Sequence, residues 1–247
     1  MKYMGSKRRI VKEILPIMMK DMDENTAFVD VFCGGCHVIE QVPSNYRRIA
    51  NDKNNYLVTM WSMLVNTNLE FPETITKEKY SFYRTLFNKR GFGNQKITSD
   101  DAMIGWIGFM GSFNGRFFDG GYSGHSVKAG TGFRDYIAEQ IRNTKSQVVN
   151  LKGIEWNVGD YSELKIPPKS LIYCDIPYKN TKQYSISKDF DYERFYTWCR
   201  EMKNQEHIIY VSEYWMPEDF TCVWQKQVKT AMNQTKTKDA VEKLYKL

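Results

Sequence analysis

The clearest indication of the fold of this 247-residue chain is the segment Leu171-Ile172-Tyr173-Cys174-Asp175-Ile176-Pro177-Tyr178. Its first four residues form an apolar run of the length that a buried parallel strand needs. Asp175 stands at the carboxyl end of this predicted strand, where open α/β sheets bind their ligands. Pro177 lacks an N–H and holds Ile176 in extended geometry, so strand pairing should end there. The acid, a carbonyl and the flat ring of Tyr178 could hold a planar amine-bearing ring, although they also suit an ordinary turn.

Other predicted strands could form a sheet together with residues 171–174. They cover residues 27–32, 47–52, 154–158 and 207–212, with one more near 223–224 and a last edge strand at 244–247. Helices are predicted over 7–19, 55–65, 100–110, 134–147 and 190–202. We expect the first helix to be interrupted near Pro16 and the third to be capped by Ser99. The alternation of strands and helices favours an α/β fold with a mostly parallel sheet.

Four acids stand at or just after the ends of predicted strands. They are Asp30, Asp52, Asp160 and Asp175, in chain order. Because the carboxyl ends of parallel strands meet along one edge of a sheet, the four side chains should outline a single crevice.

A glycine turn, Cys33-Gly34-Gly35-Cys36, follows the first strand and precedes a predicted helix start at 37–42. This succession is typical of the first unit of a nucleotide-binding sheet, because glycine lets the backbone approach a ligand closely. Asp52 lies about 20 residues further on, where a ribose-binding acid is expected, although it could instead cap helix 55–65. The cysteine spacing also matches redox and haem-attachment motifs, whereas a zinc site would need a second cysteine pair.

The composition fits one large domain, or a domain with an insertion, and a polyanionic partner. The net charge is +6 with a pI near 8.9, and residues 77–152 carry twelve basic and six acidic residues, which matches the whole excess. Eleven of the 16 glycines fall between Gly91 and Gly132. A basic, aromatic and glycine-rich segment suits contact with phosphates and bases, although it could be a mobile surface insertion. The candidates for nucleic-acid contact are Asn114, Arg116, Phe117, Phe118, Tyr122, Lys128 and Arg134.

The sequence also bears on the compartment. No apolar run approaches the roughly 18 residues of a membrane span, and no signal-peptide core follows the basic first residues. Five cysteines, an odd number without a regular framework, are typical of reduced thiols. We therefore expect a cytoplasmic protein.

In their order along the chain, these motifs resemble those of the Dam-type DNA adenine-N6 methyltransferases. These are class α amino-methyltransferases that use S-adenosylmethionine. The similar segments are residues 2–7 (the N-terminal Lys-aromatic-x-Gly-x-Lys motif), 28–38 (the glycine motif), 51–54 (the ribose segment), 113–117 (target recognition), 159–161 (beside the cofactor's adenine) and 175–178 (a variant of Asp-Pro-Pro-Tyr). The resemblance spans nearly the whole chain.

The resemblance implies a Rossmann-like methyltransferase fold, with residues 1–70 and 152–247 as the catalytic domain and 71–151 as an inserted target-recognition region. It implies an enzyme that moves a methyl group from S-adenosylmethionine to a flipped adenine in double-stranded DNA, as a monomer and without metal. The implied cofactor-binding residues are Tyr3, Lys7, Asp30, Phe32, Gly34, Gly35, Asp52, Asp160 and Asp175. The implied catalytic residues are Asp175, Ile176, Pro177 and Tyr178.

Three positions depart from the family pattern. Cys36 replaces the third glycine of the cofactor motif, Asp30 replaces a glutamate, and Ile176 replaces the first proline of the catalytic motif. Ile176 keeps a backbone carbonyl at the same place, so we expect activity. Methylation of cytosine N4 at the same site is one alternative, and a catalytically weak DNA-binding protein on the same fold is another.

Overall fold

The strands lie in one large sheet and one short ribbon. The computed structural model describes residues 1–93, 98–128, 132–179, 189–233 and 236–247, without the side chains of 125–128, 133, 229–233 and 236–239. The strands are β1 (Phe28–Asp30), β2 (Arg48–Asp52), β3 (His125–Lys128), β4 (Gly132–Asp135), β5 (Glu155–Val158), β6 (Leu171–Asp175), β7 (Ile208–Ser212), β8 (Thr221–Asn233) and β9 (Lys236–Lys246). In this described part, β3 and β4 form an antiparallel ribbon, and the large sheet has the order β5-β2-β1-β6-β7-β9-β8.

The large sheet is mostly parallel. Phe28 of β1 lies opposite Arg48 of β2 on one side and Leu171 of β6 on the other, and all three strands point the same way. Strands β5 and β7 continue the parallel part, while β9 runs antiparallel to β7 and β8 antiparallel to β9. The predicted Rossmann-like α/β fold is therefore confirmed. The chain leaves β1 for β2 on one side and returns to β6 on the other, which makes the β1/β6 boundary the switch point where such sheets bind ligands.

Helices flank the sheet. They are α1 (Val11–Met19), α2 (Asn55–Asn66), α3 (Lys77–Arg90), α4 (Ser99–Gly111), α5 (Tyr136–Gln147) and α6 (Tyr192–Asn204). Side chains of Asn54, Thr76, Thr98, Asp135 and Asp191 accept first-turn N–H groups and so cap five of them. None of the helices within the described residues is long and apolar enough to cross a membrane.

Several predicted element ends were wrong. Thr98, not Ser99, caps α4, and α1 continues through Pro16 because its buried residues hold it against the core. The helix expected from residue 37 is only a 3-10 turn, Ile39–Gln41. Arg134 belongs to β4 rather than to α5.

The last strand is not at the edge of the sheet, so that expectation was also wrong. Leu244 of β9 lies opposite Ser212 of β7 and opposite Trp224 of β8. The chain passes β7, forms the outer strand β8 and turns back, so that β9 takes the place between them.

Residues 71–151 share the core of the sheet instead of building a separate one. Trp106 of α4 and Phe28 of β1 belong to the same buried cluster. A Cβ at Gly105 of α4 would lie 2.2 Å from the backbone oxygen of Tyr56 in α2, so only glycine permits this approach. The division of the chain at residues 71 and 151 therefore stays a prediction about function.

A buried arginine joins the end of residues 71–151 to the sheet. The Arg48 guanidinium donates to the carbonyl oxygens of Val42, Asn150 and Lys152 at 3.2, 2.7 and 2.5 Å. These bonds fix the chain where it returns from α5 to β5. Neither hydropathy nor a known motif marks Arg48 for this role.

Candidate active site

A cavity of about 1440 Å³ opens at the carboxyl edge of the sheet. Asp30, Asp52, Asp160 and Asp175 all line it, as the strand ends predict. Asp30 ends β1 and Asp175 ends β6, so these two acids lie on either side of the switch point. The structure therefore brings the four acids to one crevice.

Asp175 forms an ion pair inside this cavity. Its Oδ1 lies 2.8 Å from Nζ of Lys7, whose side chain is only 5% exposed. Burial raises the pKa of Asp175 to about 6, while the charge and hydrogen bond of Lys7 lower it. The carboxyl group is thus mostly ionised at neutral pH and has a second oxygen for another donor.

Tyr178 stands beside this ion pair with its ring held on several sides. The Lys7 ammonium lies 4.6 Å from the ring centroid, and the Tyr214 ring packs edge-on at 4.6 Å. The Tyr178 hydroxyl donates to Oε2 of Glu242 at 2.7 Å. Next to it, the Pro177 carbonyl accepts a 2.8 Å hydrogen bond from the hydroxyl of Tyr192. The turn after β6 therefore has a defined shape.

Asp30 is the most enclosed of the four acids. Its side chain is buried, and its Oδ1 has no hydrogen-bond partner among the described residues. Burial, reinforced by the charges of Asp175 and Asp52, raises its pKa well above the usual range. A buried unpaired oxygen is costly unless a donor or a positive charge approaches it. Asp30 therefore marks a place for a cationic or hydrogen-bonding ligand.

Asp52 holds the glycine turn. Its two oxygens accept the N–H groups of Gly34 at 3.0 Å and of Asn54 at 2.9 Å. Asn54, rather than Asp52, caps α2, which removes the alternative interpretation of Asp52 as the cap. Gly34 has a φ of +47°, and an added Cβ would lie 2.7 Å from the Tyr3 ring. Tyr3 and the turn therefore form one packed unit at the cavity.

Asp160 lines the cavity and is followed by Tyr161, which belongs to an aromatic group. Burial acts to raise its pKa, but hydrogen bonds from Ser162 and the charge of Arg194 outweigh it and lower the pKa. The ring of Phe32 lies 5.4 Å from Tyr161 and 5.9 Å from Phe190. A carboxylate beside flat apolar surfaces suits a planar, hydrogen-bonding ring.

The cysteines of the glycine turn are structural. Cys33 and Cys36 are buried free thiols. The hydrogen bond that the Cys33 thiol donates to Cys36, together with burial, raises the pKa of Cys33, and burial raises that of Cys36. Thiols in this state are poorly reactive, which argues against a redox role. Cys36 also adopts a φ of 59°, a left-handed conformation that glycine would take without strain.

The candidates for nucleic-acid contact occupy different environments. Asn114 and Arg116 line the cavity, and Arg116 pairs with Asp119. Arg134 is exposed and pairs with Glu139, while the Tyr122 hydroxyl donates to the Ile75 carbonyl. The side chain of Lys128 lies outside the described residues.

Phe117 and Phe118 require a correction. Phe117 is 7% exposed and its ring packs at 4.8–4.9 Å against Phe109, Phe87 and Phe118. Phe118 is buried in the same cluster. Both rings build the core under the loop, so in this conformation neither can touch DNA.

Sequence reasoning missed one wall of the cavity. Residues 213–215 after β7 and residues 240–243 of β9 line it, and Trp215 is 58% exposed. Glu213 directly follows a predicted strand, and this position was the available signal. Glu242 carried no signal because its contact with Tyr178 spans 64 residues.

The comparison with protein families bears directly on this site. Residues 3–211 match the family of D12 class N6 adenine-specific DNA methyltransferases. The chain belongs to that family. The match covers most of the chain and confirms the resemblance inferred from the motifs. No curated protein matched the sequence.

As a D12 class methyltransferase, the chain is an adenine-specific enzyme whose substrate is DNA. Enzymes of this family generally take the methyl group from S-adenosylmethionine. Among the described residues, no group of three or more histidine, cysteine, aspartate or glutamate side chains is arranged to hold a metal ion.

Proposed function

We propose that this chain transfers the methyl group of S-adenosylmethionine to the N6 amine of an adenine flipped out of duplex DNA. The observation that carries the proposal is the single cavity that joins Asp175 and Tyr178 to the three upstream acids. Its volume of about 1440 Å³ is ample for a nucleoside-sized cofactor together with a base. The residues that line the cavity therefore have to bind the cofactor and the base at the same time.

The upstream residues fit S-adenosylmethionine. The unpaired Oδ1 of Asp30 offers a hydrogen-bond acceptor and a negative field for a cationic ligand. Asp52 at the glycine turn suits ribose hydroxyls, and Asp160 beside Phe32 suits an adenine ring. Tyr3, Lys7, Gly34 and Gly35 complete the expected set around the turn. When bound, the cofactor supplies an electrophilic methyl group.

Asp175 and the Ile176 carbonyl are proposed to accept the two N–H groups of the target amine. The lone pair of that amine is delocalised into the ring, and two acceptors draw the nitrogen toward tetrahedral geometry. No strong base is needed beforehand, because the proton becomes acidic as the nitrogen–methyl bond forms and the sulfur–methyl bond breaks, and the Asp175 carboxylate can take it up. Positioning and electrostatics carry such a step, and loss of one preorganised group typically costs about 10²–10³ in rate.

Tyr178 is proposed to stack on the flipped base. Extrusion of a base costs a few kcal/mol, and stacking on an aromatic ring returns roughly 1–3 kcal/mol. The Lys7 ammonium lies over this ring and contacts Asp175, so it occupies space between the two groups that would hold the base. An incoming adenine must therefore displace it.

Residues 71–151 are proposed to form the recognition region. Asn114 and Arg116 approach the base from the cavity side, and Arg134, Tyr122 and Lys128 are candidates for contacts with the duplex. The DNA substrate follows from the family, whereas its double-stranded form and the role of each side chain are part of this proposal.

The test uses the whole chain, unmethylated duplex DNA and a donor labelled in its methyl group. We expect label in N6-methyladenine after digestion to nucleosides. Asp175→Ala should bind donor and DNA and lose about 10²–10³ in rate, whereas Asp100→Ala, at an exposed position in α4, should keep full activity. Label in N4-methylcytosine, or undiminished transfer by Asp175→Ala, would contradict the proposal.

A further inference from the structure

The cavity wall formed by residues 213–215 and 240–243, called here the C-terminal wall, lies beyond the family match at 3–211. It nevertheless contacts the turn at the end of β6, residues 175–178, which contains the catalytic motif. Ser212 of β7 lies opposite Asp175 of β6, the first residue of the catalytic motif. Glu213 is the next residue after Ser212, so it lies beside the start of this motif. The wall is therefore placed to act on Tyr178.

Glu213 anchors the end of the turn. It is 1% exposed, and its carboxyl oxygens accept the N–H groups of Lys179 at 2.5 Å, of Trp215 at 3.2 Å, and of Tyr214. Pro177 has no N–H, so the N–H of Lys179 is a fixing point just after the aromatic residue. Burial of a carboxyl group is tolerated here because several donors converge on it.

Glu242 holds the other end of the Tyr178 ring. Leu244 of β9 lies opposite Ser212 of β7, so Glu242 stands two residues beyond the end of β7 on the same face as Leu244. This register brings its carboxylate 2.7 Å from the Tyr178 hydroxyl, while Tyr214 packs against the ring edge-on. The ring is thus fixed at its hydroxyl and along one side.

The arrangement is electrostatically unfavourable for stability alone. Glu242 and Glu213 both act to raise the pKa of Asp175, and among the described residues it is Lys7 that opposes them. Three acids around one tyrosine cost folding free energy that an apolar wall would not. Such placement is typical of functional sites, where groups are selected for geometry.

We propose that Glu242 and Glu213 are positioning residues that hold the Tyr178 ring in the orientation needed to receive the target adenine. The inference rests on the function proposed above. It extends the methyl-acceptor site to the C-terminal wall, which the family match does not include.

The experiment measures kcat and KM for Glu242→Ala, Glu242→Gln and Glu213→Gln in the full chain. Loss of one hydrogen bond should lower kcat roughly 3- to 10-fold in Glu242→Ala, with the KM for S-adenosylmethionine unchanged. Glu242→Gln keeps an acceptor oxygen and should restore most of the rate. Glu213→Gln keeps only one of its two acceptor oxygens, so its kcat should lie between those of Glu242→Ala and Glu242→Gln. Glu218→Ala, an exposed glutamate in the same loop, is the control.

A double-mutant cycle separates positioning from general damage. In the Tyr178→Phe background, Glu242→Ala should have no further effect on kcat, because the hydroxyl it served is gone. The inference is overturned if Glu242→Ala is as active as the original chain, if glutamine does not rescue it, or if its loss persists in the Tyr178→Phe background.

The melting temperatures of the four proteins of this cycle test the contact between Glu242 and Tyr178 without a measurement of methyl transfer. These proteins are the original chain, Glu242→Ala, Tyr178→Phe and the double variant. The effects of Glu242→Ala and Tyr178→Phe should be less than additive, because both remove one shared bond. Additive effects would overturn the contact itself, whereas an inactive original chain with a normal cycle would overturn only the proposed function.

Discussion

At the scale of single residues, the ion pair between Lys7 and Asp175 controls the charge of the proposed acceptor. The pKa of Asp175 is raised by burial to about 6 and would be higher without the ammonium 2.8 Å away. The ionised carboxylate accepts an N–H more strongly than the neutral carboxyl group and can also take up the released proton. The rate should therefore fall as the pH drops through about 6.

Lys7→Met should move this acid limb of the pH–rate profile to higher pH. Removal of the positive charge destabilises the carboxylate, so the pKa of Asp175 rises and less of it is ionised at neutral pH. The measurement is kcat/KM for DNA against pH with saturating donor, because this ratio reports the pKa of Asp175 before the base displaces Lys7. Lys12→Met, at an exposed position in α1, is the matched control. An unchanged or acid-shifted limb would show that Lys7 does not set this charge.

The sequence revealed the acids at strand ends because local pattern and topology suffice to place them. Asp30, Asp52, Asp160 and Asp175 follow recognisable strands, and parallel strands bring their ends together. Glu242 and Arg48 could not be found this way. Their contacts depend on strand register and chain return across 64 and more than 100 residues, and no local pattern encodes these.

At the scale of elements, close packing of α4 on α2 depends on a glycine. Gly105→Ala would place a Cβ 2.2 Å from the Tyr56 backbone oxygen, which cannot swing away as a side chain can. We expect a loss of about 1–3 kcal/mol in the free energy of unfolding, measured by denaturant titration. Ser81→Ala, at an exposed position in α3, should change it by less than about 0.5 kcal/mol. Equal stability of the two variants would contradict the tight contact.

Element types were easier to predict than element ends and neighbours. The strands at 171–174 and 207–212 were clear because apolar runs of that length are typical of buried parallel strands. The position of β9 was not, because a short apolar segment near the end of a chain gives no indication of which strands lie beside it. The prediction that Phe117 contacts DNA is wrong for a related reason, since an aromatic ring in a glycine-rich loop can pack inward or outward.

At the scale of the whole molecule, the thiols test the interpretation of the glycine turn. All five cysteines are free, and only Cys222 is exposed. A thiol reagent should therefore modify one cysteine rapidly in the native chain and all five after denaturation, with or without prior reduction. A reduction-dependent increase of two thiols would instead reveal a disulfide between Cys33 and Cys36.

The inner position of β9 has a consequence for synthesis of the chain. Every other strand of the large sheet precedes β9 in the sequence, yet β9 supplies Glu242 and lies between β7 and β8. A ribosome-bound chain that stops before residue 236 can pair β1, β2, β5, β6 and β7, but its cavity stays open on one side. The cavity can therefore be completed only after β9 has been synthesised, when every other described strand of the large sheet is already available.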